Sequence, residues 1–235
     1  MAGRLPAVTH VRVGFVRSCV SAADLVTAIR DVAAINPRAA GPRVHPEQAR
    51  RVVELAFLGL ISAWDEFLEQ SFVRYLAGAK SSDGSAPALR LGKAEGIAHA
   101  YHIISGDPAF DPARNYSKFS DAGWVIALSK IYFERGAPYA TALQPNQQAL
   151  QHATRLRNRV AHNSAKSRED FKRTARELLG RAPDAPLSQG YSVGDLLLSP
   201  ATRVFGQEAR DRNLTYFQAF GLRLLRLAGL ICPEA

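Results

Sequence analysis

The segment Arg157-Asn158-Arg159-Val160-Ala161-His162 sets a permanent cation, a side-chain amide and an imidazole within six consecutive residues. A guanidinium grips a phosphate through two parallel hydrogen bonds, and an imidazole changes charge near neutral pH. With an amide to orient either group, they can hold a phosphodiester and move protons on it without a metal. That chemistry suits cleavage of RNA, in which the 2′-hydroxyl is a built-in nucleophile.

What these groups can reach depends on the helix that carries them. Leu150, Ala153, Leu156, Val160 and Ala161 recur at helical spacing, so residues 146–162 are predicted to form one helix with that stripe buried. On an ideal helix Asn158 and His162 are neighbours one turn apart, whereas Arg157 and His162 diverge by about 140° around the axis. Arg157 therefore meets His162 only through its length, or where the helix frays. Asn163-Ser164 directly after the histidine predicts the helix end there. The next stretch, Ser167-Arg168-Glu169-Asp170, has the form of a capping box with Asp in place of Glu, predicting a helix from Ser167 to Leu179 that Gly180 stops.

Helix signals also dominate the rest of the chain. Residues 22–34 are predicted as a first helix, with Ser21 as N-cap and Asn36-Pro37 as its stop, followed by a Pro/Gly/Arg linker over 37–44. Pro46, at a first helical position, opens a long helix to about Gly78 whose apolar face includes Val53, Leu60, Trp64, Phe67 and Phe72. A Ser/Gly-rich loop over 79–84, a short helix over 93–104 and a loop over 106–118 follow. Ser120 as cap and Gly136 as terminator bracket another helix. Residues 191–198 are apolar and ambiguous between strand and turn, and a final helix covers 207–230. Helices joined by short or Pro/Gly-rich loops predict an all-α antiparallel bundle. The expected organisation is an N-terminal helical extension and linker over 1–45 and a helical domain over 46–235.

Composition narrows the function classes. The chain has 235 residues and a net charge of +9, which favours polyanionic partners. Between Gln151 and Arg181, nine cations face three carboxylates, so +6 of that charge surrounds the motif. Arg155, Arg159, Lys166, Arg168, Lys172 and Arg173 are thus the candidate phosphate contacts. Two cysteines, Cys19 and Cys232, cannot build a disulfide framework or a structural zinc cluster. Arg4, Arg12 and Arg17 interrupt the apolar residues near the N-terminus, and no stretch is long enough to span a bilayer. A cytoplasmic location with no membrane association is expected. His99 and His102 stand one turn apart without a further ligand, and neither a phosphate-binding glycine loop nor a dinucleotide fingerprint occurs, so no metal and no cofactor are expected. Trp64 and Trp124 fall in apolar stripes and read as core.

Arg157-Asn158-x-x-x-His162 near the end of a bundle helix, preceded by a long helix with Ala63-Trp64-Asp65-Glu66-x-Leu68, resembles the HEPN superfamily of helical ribonucleases and RNA-associated domains. It looks most like the RiboL-PSP-HEPN branch, over about residues 46–232. The resemblance implies an HEPN-like bundle and a metal-independent endoribonuclease. His162 would serve as general base on the 2′-hydroxyl or general acid on the leaving 5′-oxygen, Arg157 would bind the scissile phosphate, and Asn158 would orient either. Apart from the resemblance, Asp65 and Glu66 on the long helix are candidates to orient His162 or Arg157, the other reading being solvated helix-face carboxylates. One histidine cannot be base and acid in the same turnover, and the family pairs two motifs across a homodimer interface. A toxin or antiphage defence effector acting on RNA is implied, restrained by an antitoxin or defence-complex partner. The alternative is a non-catalytic HEPN module that binds RNA or nucleotide or scaffolds such a complex. Some HEPN toxins carry a tyrosine two positions after the motif histidine, which a partner nucleotidyltransferase modifies; here Ser164 stands there, so silencing by that route is not expected.

Overall fold

The computed structural model describes residues 7–34, 44–115, 118–201 and 204–234. The fold is all-α: among the described residues no strand forms, and isolated bridges such as Leu89 with Phe133 do not extend. No helix among them is long and apolar enough to cross a membrane. The described residues fall into two compact units, one drawn from 1–17, 63–151 and 224–235, the other from 18–62 and 152–223. The predicted linker, Val44 apart, lies outside the described residues.

Helix α1 spans Thr9–Ala34, well before the predicted start, so Ser21 is an interior residue and not an N-cap. Val, Thr and Gly14 give residues 9–20 modest intrinsic propensity, but Val8, Phe15, Cys19 and Val26 fall on one helical stripe and are all buried. Burial outweighs propensity here, as it does for most helices in folded proteins. Helix α2, Pro46–Leu76, begins as predicted at Pro46, with the His45 amide donating to Gln48 Oε1. Gly78 ends it with a φ of 83°, and the Ala79 amide reaches back to the Arg74 carbonyl.

In the first unit the core is aromatic. Trp64 stacks on Phe67 at 5.4 Å and meets Phe15 at 5.6 Å, confirming it as core. Phe72 contacts Phe133 and Tyr139, each at 4.9 Å. Helix α3, Ile97–Ser105, starts later than predicted because Gly96 precedes it with extended backbone. Helix α4, Ala122–Tyr132, is capped by Asp121 and not by Ser120: the carboxylate accepts from the amides of Gly123 and Trp124. A 3-10 turn over Glu134–Gly136 and helix α5, Tyr139–Leu143, then lead through a second such turn into α6, Gln147–Ala161.

The second unit contains the motif. Its core includes Leu156, Ala175, Leu178, Leu196 and Leu197, each at 0% exposure, with Phe57 packed edge-on against Phe220 at 5.5 Å. Helix α7 is Ala165–Leu179, ended as predicted by Gly180 with a φ of 63°. The ambiguous segment after it is helix α8, Val193–Leu198, opened by a capping box in which Ser192 and Asp195 exchange hydrogen bonds. Asp195 also pairs with Arg50, and a Cβ added at Gly194 would lie 2.6 Å from the Arg50 carbonyl oxygen, so glycine permits α8 to press against α2. The predicted final helix is two: α9, Gly206–Asp211, and α10, Tyr216–Ile231. Asn213 breaks them with a φ of 49°, and Thr215 restarts the helix by bonding reciprocally with Gln218.

Candidate functional site

Helix α6 carries the motif to its last turn. His162 lies one residue beyond the helix, and its amide still donates to the Asn158 carbonyl at 2.9 Å. The histidine thus sits at a helix end, where the spacing of Arg157 and His162 requires it. Leu150, Ala153 and Leu156 are buried and Val160 is half-buried; Ala161, expected in the same stripe, is exposed. Arg157 is half-buried and donates to Asn158 Oδ1 at 3.0 Å. The structure therefore joins Arg157 to Asn158, while the exposed His162 imidazole makes no hydrogen bond among the described residues.

The elbow between α6 and α7 fixes the backbone at His162. Ser164, not Ser167, is the N-cap of α7, accepting from the Ser167 amide at 3.1 Å. Ser167 is buried one turn inside, and its hydroxyl donates to the carbonyls of His162 at 2.7 Å and Ser164 at 3.0 Å. A helix end leaves its last carbonyls without partners, and the Ser167 hydroxyl satisfies that of His162, whereas the Ser164 carbonyl also accepts the Arg168 amide at 3.2 Å as α7 begins. Arg159 adds bonds to the His162 carbonyl at 3.4 Å and Asn163 Oδ1 at 3.0 Å. Arg168 donates to the Asn163 carbonyl at 3.0 Å.

The basic face is less uniform than its composition implies. Asp170, expected to close a capping box, instead takes Lys166 at 2.6 Å and Arg173 at 2.7 Å. Glu169 takes Lys172 at 2.8 Å. The Lys166 and Lys172 hydrogen bonds hold these carboxyls below their ordinary range. Three of the six candidate phosphate contacts are thus partly neutralised on their own helix. Arg155 is half-buried on α6, and Arg159 and Arg168 make no ion pair with a carboxylate among the described residues. Asp65, half-buried, and Glu66, exposed, lie on the part of α2 grouped with the other unit.

No family model, curated protein or solved structure matches this chain.

Among the described residues no group of three or more His, Cys, Asp or Glu side chains could hold a metal ion. Cys19 and Cys232 are free and buried, and burial pushes their thiols up to about 12 and about 11. Neither is poised as a nucleophile, since the thiolate is the reactive form. Sequence reasoning counted Arg176 only within the basic segment 151–181 and missed Arg51 and Tyr191; all three line one groove with Arg159 and Arg168. Arg51 lies more than a hundred residues before the others, and no local motif links it or Tyr191 to them.

Proposed function

We propose that this chain is an HEPN-type endoribonuclease that cleaves RNA by metal-independent transesterification at a site shared by two copies. The observation that carries the reading is the exposed His162 imidazole on a pinned backbone, one turn from the hydrogen-bonded Arg157 and Asn158. An imidazole so placed meets solvent and substrate freely while its Cα stays fixed. One His162 takes the proton from the ribose 2′-hydroxyl, and the 2′-oxygen attacks phosphorus. The 5′-oxygen leaves with a proton from the other copy's histidine. Arg157 offsets charge on the phosphate oxygens. The products are a 2′,3′-cyclic phosphate and a 5′-hydroxyl. In a cell, such cleavage held in check by a partner protein would act as a toxin or antiphage effector.

The test is incubation of the purified chain with total RNA in EDTA, with the cleaved ends mapped. Wild type is expected to leave cyclic phosphates, and His162→Ala to lose about 100- to 10,000-fold in rate while keeping its fold and most RNA affinity. Equal rates for the two proteins, or no cleavage by wild type on any RNA, would favour the second reading. That reading is a non-catalytic binding module, and what favours it is the set of guanidiniums held by neutral acceptors, which bind anions with or without chemistry.

A further inference from the structure

Helix α3 ends at Gly106, whose φ of 70° turns the chain into a loop tied by its own groups. Asp107 Oδ1 accepts from the Ala109 amide at 2.8 Å, and the Asp107 carbonyl accepts from the Phe110 amide at 3.1 Å. The loop brings Phe110 against Tyr101, with ring centroids 5.9 Å apart and planes 19° from parallel. The Tyr101 hydroxyl is held in turn, donating to Glu69 Oε1 at 2.8 Å and accepting from Gln70 Nε2 at 3.1 Å. At the start of α4 the Asp121 cap takes the Trp124 amide at 3.2 Å, and the indole meets buried Phe119 in an edge-to-face contact at 5.2 Å and 86°.

These four rings, together with Asp107 and Lys118, line one cavity of about 370 Å³ inside a single compact unit. Tyr101 and Phe119 are buried, whereas Phe110 and Trp124 are half-buried, so ring surface remains for a ligand to cover. The volume is near the lower end of the range of about 300–1,000 Å³ typical of small-molecule sites, which suits one ring system with a short polar tail. Asp107 and Lys118 are exposed and opposite in charge, yet neither forms an ion pair with the other or with any described residue. Asp107 Oδ2 and the Trp124 indole N–H likewise make no hydrogen bond among the described residues. The cavity therefore offers an aromatic lining, one unused cation and one unused carboxylate oxygen.

We propose that this cavity binds a free aromatic amino acid, with its ring among the four aromatic side chains, its carboxylate on Lys118 and its ammonium on Asp107. The two charges select the class. A ring bearing only a carboxylate gains Lys118 but sets its charge against Asp107, and a ring bearing only an ammonium gains Asp107 but meets Lys118. A zwitterion satisfies both, and its own two charges stand on one carbon, close together at the end of the ring's short stem. An aliphatic amino acid keeps the charges but forfeits the ring contacts. The cavity shares no residue with the Arg157–His162 motif, so binding stands whether or not the chain cleaves RNA.

The experiment is calorimetric titration of the full chain with phenylalanine, tyrosine, tryptophan and leucine. The tightest aromatic binder is then compared with its decarboxylated amine and its deaminated acid. Each truncated analogue is expected to bind about 3- to 10-fold more weakly than the amino acid, and leucine more weakly still. Two exposed variants, checked for folding by circular dichroism, assign the charges. Lys118→Ala should weaken the amino acid about 3- to 10-fold and leave the amine no weaker, since the amine has no carboxylate to lose. Asp107→Asn, which keeps the acceptor for the Ala109 amide, should weaken the amino acid and leave the deaminated acid no weaker. The proposal is overturned if no aromatic amino acid binds, or if either variant binds the amino acid as wild type does. It is equally overturned if a truncated analogue matches the amino acid, which leaves one charge without a role, or if leucine does, which leaves the rings without one.

Discussion

At 1% exposure, His152 on α6 has no hydrogen-bond partner for either ring nitrogen among the described residues, and Glu177 Oε2 lies 3.7 Å from its Nε2. The Thr174 hydroxyl, one turn before Glu177 on α7, is also buried without a partner among the described residues. Burial disfavours the charged imidazole and lowers its pKa; Glu177 opposes that effect and Arg155 adds to it. The sign for stability follows. In the unfolded chain His152 protonates near its ordinary value of about 6.5, whereas the folded protein resists protonation. Below that value the unfolded state binds more protons, so the stability present above about pH 6.5 is lost as pH falls toward the folded pKa. Denaturant unfolding of wild type is expected to show stability dropping between pH 7.5 and 5.5, by up to about 1.4 kcal/mol per pH unit from this residue. His152→Gln, which cannot titrate, should flatten that slope. Parallel pH profiles for the two proteins would rule out His152 as the source. Glu169 and Asp170, whose pKa values are lowered, release their contribution only at more acidic pH.

At the scale of elements, the elbow between α6 and α7 is where sequence, fold and candidate chemistry meet. Ser164 is the cap that starts α7 within two residues of His162, which gives this position a structural duty of its own. Ser164→Ala should cost about 1 kcal/mol, and Ser164→Asp, which can still accept from the Ser167 amide, should restore most of it. Thermal unfolding reads both variants, and equal melting temperatures for the alanine and aspartate proteins would refute the cap. The same elbow shows which elements were legible. Gly180 and Pro46 mark their helix ends through backbone geometry that few other residues share, so α7 stops and α2 starts as expected. The helix end at His162 was readable because Asn163-Ser164 follows it directly. Ser164, Ser167 and Ser192 are three near-equivalent cap candidates, and only packing decides among them, so the start of α7 was misplaced and α8 was missed. Thr215 and Gln218 form a capping box that hydrophobic periodicity obscured, because the apolar stripe runs on across the break at Asn213. The groove was not legible, since Arg51, Arg176 and Tyr191 converge only through tertiary packing.

At the scale of the whole molecule, the proposed chemistry asks for more than one chain supplies. The motif holds one histidine, and transesterification needs a base at the 2′-oxygen and an acid at the 5′-oxygen in the same turnover. Two copies related by a two-fold axis would bring two motifs to one cleft, each inside a segment where nine cations face three carboxylates. Their repulsion would oppose association and bound RNA would offset it, so added salt should ease dimer formation while weakening RNA binding. The composite site makes an arithmetic prediction. If wild type and His162→Ala are unfolded together in equal amounts and refolded, half of the chains carry an imidazole. A site needing both copies is complete only in wild-type homodimers, so activity should fall to about one quarter of the all-wild-type value. A site complete in one chain would instead keep about one half, since each wild-type chain would act alone. Cleavage rates measured across a series of mixing ratios separate a squared from a linear dependence on the wild-type fraction, and a linear result would sink the shared site while leaving His162 as the residue that carries the chemistry.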